Sequence, residues 1–193
     1  MNKRFSLVLA FSLLPFALAL VAAGETNRSL LFQIGAGYGY PGYPSELEEA
    51  FSDLDALPGV DRIQLSVGLA LGLAISDQGY FMARVDGVGD RLDDGYDYHQ
   101  MNVYLYSLGF RYYPSVTGLY LEGCIGGSRA VFQSSLEGTY VSEFDAGYGI
   151  GVGYSFNDNP RGFGLTLEAR YGMLSIEGDP VSAFMLLLSL CWT

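Results

Sequence analysis

The sequence predicts an all-β fold, an eight-stranded antiparallel up-and-down transmembrane β-barrel with its N- and C-termini periplasmic. Three observations predict it: apolar residues alternate with small or polar ones along eight stretches, the connections between them alternate long and short, and aromatic residues gather at the stretch ends. The balance of residue types agrees. In 193 residues, enough for one domain, half are hydrophobic, 15% are aromatic, 26 are Gly and only 16% are charged, against about a quarter charged in soluble domains.

The chain opens with Met1-Asn2-Lys3-Arg4, an uncharged apolar run from Phe5 to Ala23, and small residues at Val21-Ala22-Ala23. Basic start, apolar middle and small-residue end make a secretory signal peptide over 1–23, ahead of a barrel domain over 24–193. Cleavage after Ala19 or Gly24 and an uncleaved anchor are the alternatives. No Cys directly follows the run, which argues against a lipid anchor. Cleavage removes Lys3, the only Lys, and leaves 8 Arg against 21 Asp and Glu. Such a chain is a poor partner for nucleic acid, whose phosphates demand cations. Cys124 and Cys191 fit no metal spacing and are expected to act as small packing residues; no cofactor or metal is expected.

The alternation begins at Leu30, Phe32, Ile34, Ala36, Tyr38 and Tyr40, opposite Gln33, Gly35, Gly37 and Gly39. It continues from Ile63 to Ile75, then through Phe81, Ala83 and Val85, then through Tyr104, Tyr106, Leu108, Phe110 and Tyr112. A fifth strand runs from about Leu119 to Phe132, with Gly126-Gly127 read as a bulge that switches its parity. The sixth sets Ala146 to Phe156 against a Gly series, the seventh spans Phe163–Met173, and the last runs from Ser182 to Trp192. Strands over more than half of the mature chain exceed what a globular domain contains. A closed membrane barrel is where that fraction belongs.

Between strands lie a long segment over 41–61, a short one over 76–78, a long one over 91–101, a short one over 114–118, a long one over 133–142, and short ones over 157–161 and 176–181. Long outer loops and tight periplasmic turns are what a barrel entered from the periplasm requires; the last connection is shorter than this order predicts. Tyr80, Phe81, Tyr112, Tyr113, Tyr154, Phe156, Phe163 and Trp192 form one expected aromatic girdle, and Tyr38, Tyr40, Tyr104, Tyr106, Tyr171 and Phe184 the other. In the first long loop, Ser45 and Glu48 match a capping box, and Leu47, Ala50, Phe51, Leu54 and Leu57 recur at helical spacing. A short amphipathic helix is therefore expected, across the mouth or on the membrane surface.

With its alternating Leu186, Leu188 and Leu190 leading to Trp192, the last strand is similar to the assembly signal of small outer-membrane barrels, although Thr193 follows the aromatic. The mature chain as a whole resembles the eight-stranded group that includes OmpX-like, OmpW-like and OmpA-transmembrane-type barrels. The resemblance implies a bacterial outer-membrane location, outer-membrane lipid as surroundings, and a monomer. A soluble lipocalin-type barrel is the rival fold; it needs a hydrated exterior, whereas the less apolar face here is mostly Gly with a few Arg and carboxylates.

That face carries Arg62, Arg84, Asp86, Arg111, Glu122, Asp145, Glu168 and Arg170, four charges of each sign. At such depth they should pair into a structural network that fills the lumen. Gly37 to Gly42 matches the spacing of a nucleotide-binding loop but continues the strand period, so it reads as lumen packing. The only His, His99, has no Ser that the sequence places beside it, so no enzyme is expected. The exposed acids Glu46, Glu49, Asp53 and Asp55 of the helix and Asp93, Asp94 and Asp97 of the next loop form a candidate surface for a cationic or host-protein partner, or for divalent ions. The function these readings support is a non-enzymatic barrel serving envelope integrity or surface interaction. A narrow OmpW-like solute channel is the alternative, with a lipid-modifying enzyme or a lipocalin-like binder behind it.

Overall fold

The computed structural model describes residues 29–114, 118–136, 138–156 and 162–193; the signal segment and two of the expected tight turns lie outside the described residues. The strands are β1 (Leu30–Gly42), β2 (Asp61–Ser76), β3 (Gly79–Asp93), β4 (Tyr98–Tyr112), β5 (Leu119–Ser134), β6 (Gly138–Val141), β7 (Asp145–Ser155), β8 (Phe163–Ile176) and β9 (Asp179–Trp192), with one helix, α1 (Ser45–Asp55), between β1 and β2. Each long strand pairs antiparallel with its neighbours, β1 meets β9, and β4 meets β5. Eight strands therefore close on themselves, and β6 lies outside the ring as a flap on the end of β5. Both ends of the described chain sit at one rim of the barrel; α1 and the 94–97 turn sit at the other.

The period-two pattern sets which way every side chain faces. Leu65 is 60% exposed, Ile125 72%, Ile150 64% and Leu188 56%, and apolar residues cover the outer wall on every barrel strand. Such a wall has no stable place in water. It removes the soluble lipocalin-type alternative, whose outer wall must be hydrated. Closure supplies the other requirement of a bilayer, that no sheet edge be left with unpaired backbone groups.

Several expectations are corrected. The second long loop shrinks to a turn, because β3 and β4 stay paired from Gly79↔Tyr112 out to Asp93↔Tyr98. The segment from 91 reads as loop, but Leu92 keeps the inward parity of Arg84, Asp86, Val88 and Asp90. No bulge interrupts β5: its register with β4 runs unbroken from Tyr112↔Leu121 to His99↔Ser134, and its parity holds throughout. The 133–142 loop contains β6. Tyr80 and Tyr113 leave the expected girdle and turn inward, Tyr113 packing edge-on against Tyr80 and tilted against the fully buried Tyr120. Phe163 and Trp192 of the expected girdle do lie on the outer wall, where Phe32 joins them and the three rings bridge β1, β9 and β8 at the seam that closes the barrel.

α1 forms where the sequence predicts it, without the capping box. Pro44, not Ser45, is its N-cap, no side chain caps it, and the Pro44 carbonyl accepts from the Leu47 and Glu48 amides. Phe51 is buried against Tyr43 in the same apolar cluster as Val88, Leu92, Leu105 and Met185, so the helix closes the mouth rather than resting on the membrane. The last connection is a two-residue turn, with Glu177 at φ 57° and Gly178 at φ 91°. Successive positive φ angles are those of a type I′ hairpin, whose twist matches the strands, and this explains its brevity.

A closed barrel with an apolar wall resists SDS until boiled. Detergent-extracted protein is expected to change gel mobility on boiling and to give sheet-rich circular dichroism. Equal mobility with partition into the aqueous fraction would contradict the membrane fold.

Candidate functional site

The lumen is filled in three layers. At the rim that carries the termini, Leu31, Ala70 and Met82 pack with Tyr80, beside Tyr113 and Tyr120. In the middle lies a charge cluster. Toward the other rim an apolar layer is roofed by Phe51 of α1.

The middle layer is assembled by register. β3 contributes Arg84 and Asp86, β4 Arg111, β5 Glu122 and β8 Glu168 and Arg170; Arg111 faces Glu122 directly across the β4–β5 ladder. Arg84 lies 3.0 Å from Asp86, 3.1 Å from Glu168 and 3.4 Å from Glu122. Arg111 lies 2.8 Å from Glu122, and Arg170 lies 2.9 Å from Glu122, 3.4 Å from Asp86 and 3.6 Å from Glu168. Every one of these side chains is at most 2% exposed. Three cations against three carboxylates leave no net charge, which is how charges persist where water is excluded. The Arg111 guanidinium also lies 4.0 Å over the Tyr120 ring, which joins the charged layer to the aromatic one.

Glycines make the room. A Cβ on Gly153 would fall 2.3 Å from the Tyr120 ring, and one on Gly151 would fall 3.0 Å from Arg170. The Gly series of β7 is thus the wall against which the large inward side chains fit. Cys124 and Cys191 are buried free thiols in this packing, as expected; the Cys191 sulfur accepts the Thr166 hydroxyl at 3.3 Å.

Six of the eight predicted lumen charges therefore come together, and two do not. Arg62 sits at the mouth, bound to Asp90 at 2.7 Å and reaching Asp55 of α1 at 3.5 Å. Asp145 meets no cation among the described residues; its carboxylate accepts from the Ser175 hydroxyl and the Gly178 amide and anchors the β8–β9 turn. Its strand begins there, so it lies at the rim and not at lumen depth. Asp90, fully buried, escapes the sequence reading because the alternation is read only through Asp86, although the expected loop begins at 91. Carrying the inward parity two steps further, through Val88, would have reached it.

Of the expected acidic surface, Glu46, Glu49 and Asp53 are exposed on α1 and enter no ion pair among the described residues. The others serve the fold. Asp55 holds Arg62, Asp93 pairs with Arg91 at 2.5 Å, Asp94 accepts from the Tyr96 and Asp97 amides, and Asp97 accepts from the Ser135 hydroxyl. No group of three or more metal-ligating side chains converges among the described residues. The register does place a Ser opposite His99, namely Ser134, which the sequence did not bring together. The His99 ring stacks on Phe132, and the Ser134 hydroxyl accepts from the Leu136 amide.

Removing one partner of a buried ion cluster strands the rest, at a cost of about 3 kcal/mol. Arg111→Met is expected to lower the unfolding free energy in urea by that order, and adding Glu122→Met to recover most of it. Equal midpoints for wild type and the single variant would show that the cluster does not hold the barrel. In the 93–97 turn, the Arg91 guanidinium and the Gly95 amide hold the Asp93 carboxyl below its usual range, and the Asp97 and Tyr96 amides do the same for Asp94. Depressed carboxylates stabilise the turn above their ordinary range and release it as pH falls through the lowered values. Amide exchange at Gly95, Tyr96 and Asp97 should therefore accelerate, beyond its intrinsic pH dependence, only below about pH 4. Unchanged protection at lower pH would remove that role from the two carboxylates.

The sequence matches no protein-family model and shows no significant similarity to curated proteins. Solved structures do share its form. Ail, the attachment invasion locus protein of Yersinia pestis, in complex with the heparin analogue sucrose octasulfate, superposes with a TM-score of 0.57 at 12% identity, over 85% of this chain and 99% of that one. Neisserial surface protein A superposes with a TM-score of 0.56 at 16% identity, over 86% of this chain and 97% of that one. With the closed ring, the apolar wall and the filled lumen, these likenesses establish that the chain has the fold of the small eight-stranded outer-membrane β-barrels.

Proposed function

We propose that the protein is a non-enzymatic barrel of the bacterial outer membrane, secreted through a cleaved signal peptide over 1–23, with periplasmic termini. It serves envelope integrity or surface interaction through its acidic outer end. One observation carries the non-conducting part of this reading: the neutral cluster of Arg84, Arg111, Arg170, Asp86, Glu122 and Glu168 fills the lumen between two packed layers. An eight-strand barrel is just wide enough for side chains to fill, and these fill it.

The rims support this orientation. The end bearing α1 carries the exposed Glu46, Glu49 and Asp53, and in a small outer-membrane barrel the elaborate end faces outward. Ail was captured with a polyanion. The mature chain here carries 8 Arg and no Lys against 21 acids, so its outward face suits a cationic or host-protein partner instead.

In planar bilayers the protein is expected to give no steady unitary current. Steady openings would establish the solute-channel alternative. In a binding assay, a cationic peptide should bind and a sulfated oligosaccharide should not, and Glu46→Gln with Glu49→Gln and Asp53→Asn should weaken peptide binding about tenfold or more. Binding unaffected by the triple substitution would remove α1 as the contact surface.

A further inference from the structure

The outer wall carries an open apolar depression. Across β4, β5, β7 and β8 runs an apolar groove of about 910 Å³, walled by Tyr106, Leu108, Ile125, Tyr148 and Met173. Its floor is Ala146, an outward position whose side chain is only a methyl, flanked by the backbones of Gly126 and Gly147, whose own positions face the lumen. The groove is open to its surroundings along the outer wall rather than enclosed, so only a component of the surrounding medium can fill it.

A charge stands at its outer end. Arg129 follows Gly127 by two residues and so faces the same side of β5. Its guanidinium lies 5.2 Å over the Phe144 ring, which in turn lies 5.6 Å from the Tyr106 ring of the groove wall, and its Nε donates to the Ser142 carbonyl at 3.0 Å. These contacts fix the side chain but do not neutralise it. Among the described residues, Arg62, Arg84, Arg91, Arg111 and Arg170 each pair with a carboxylate, and Arg129 does not. In a chain with twice as many acids as bases that is a conspicuous exception. Three carboxylates adjoin lining residues in the sequence, Asp145, Glu177 and Asp179; Asp145 accepts from Ser175 and Gly178, Glu177 accepts from the Tyr140 hydroxyl, and none of the three forms an ion pair with Arg129 among the described residues.

We propose that this groove with Arg129 is a seat for one anionic, phosphate-bearing lipid of the surrounding leaflet, its acyl chain in the groove and its phosphate on the Arg129 guanidinium. The inference rests on the membrane reading above. An occupant drawn from the bilayer is the one that a groove in the apolar belt meets, and a fixed, uncompensated guanidinium at the belt's edge selects an anionic headgroup among such occupants.

The test is lipid retention by the purified, heat-modifiable barrel in detergent, read by native mass spectrometry. The probes are phosphatidylglycerol, a diacylglycerol with the same chains, and inorganic phosphate. Phosphatidylglycerol should be retained about tenfold or more over the diacylglycerol, and inorganic phosphate should not compete at equal concentration. Arg129→Gln should abolish the preference. Ala146→Phe, which fills the floor from the outer face, should abolish retention, while Ala36→Phe on another part of the wall should leave it unchanged. Equal retention of the two lipids, competition by inorganic phosphate, or full retention by Ala146→Phe would each overturn the proposal. Because every sample is first shown to be heat-modifiable, these failures are separate from failure of the membrane reading.

Discussion

A polypeptide that crosses a bilayer has to satisfy every backbone amide and carbonyl within itself, and for strands the only solution is a closed ring. Here the ring is closed by the pairing of β1 with β9, over a run from Phe32↔Trp192 to Gly42↔Ser182. The rings of Phe32, Phe163 and Trp192 sit on the outside of that seam. Closure turns one face of each strand toward lipid and forces the other into a space too narrow for bulk water. The composition of both faces then follows: large apolar residues outside, and inside a set of side chains that must satisfy one another.

The inner solution combines charge and volume. Arg111, Arg84 and Arg170 are large and cationic, and Glu122 lies within 3.4 Å of all three. Glu168 and Asp86 complete the neutralisation. Room for these long side chains comes from the glycines of β7, whose Cβ atoms would collide with Tyr120 and Arg170. Electrostatic balance and steric balance are thus two aspects of one arrangement. The same glycines that look like low complexity in the sequence are positions where the neighbouring strand's side chain needs the space.

The mouth is organised on a different principle. Its apolar layer is roofed by Phe51, and α1 is tethered by Arg62, which binds the buried Asp90 on β3 and reaches Asp55 on the helix. Acids that read as one exposed surface therefore divide into those that hold the mouth and those left facing outward. Asp55, Asp93, Asp94 and Asp97 belong to the first set, and Glu46, Glu49 and Asp53 to the second.

Period-two alternation is a property of neighbouring residues, so the sequence by itself determined the eight barrel strands, the apolar wall, and the inward position of Arg84, Asp86, Arg111, Glu122, Glu168 and Arg170. The amphipathic spacing of Leu47, Phe51 and Leu54 likewise determined α1. What depends on register between distant strands was decided only by the tertiary structure. Asp90 became the partner of Arg62 because β2 and β3 remain paired beyond the apolar belt, out to Asp61↔Asp93, which sets Asp90 opposite Gln64, two residues from Arg62. Asp145 fell out of the charge cluster because its strand starts at the rim, a height along the barrel axis that alternation does not encode. Tyr80 and Tyr113 turned inward because the termini-bearing end of the lumen needed filling, and an aromatic at a strand end suits either a membrane interface or a plug. Facing is set residue by residue along one strand, whereas pairing, depth and enclosure are set by which strands meet and where.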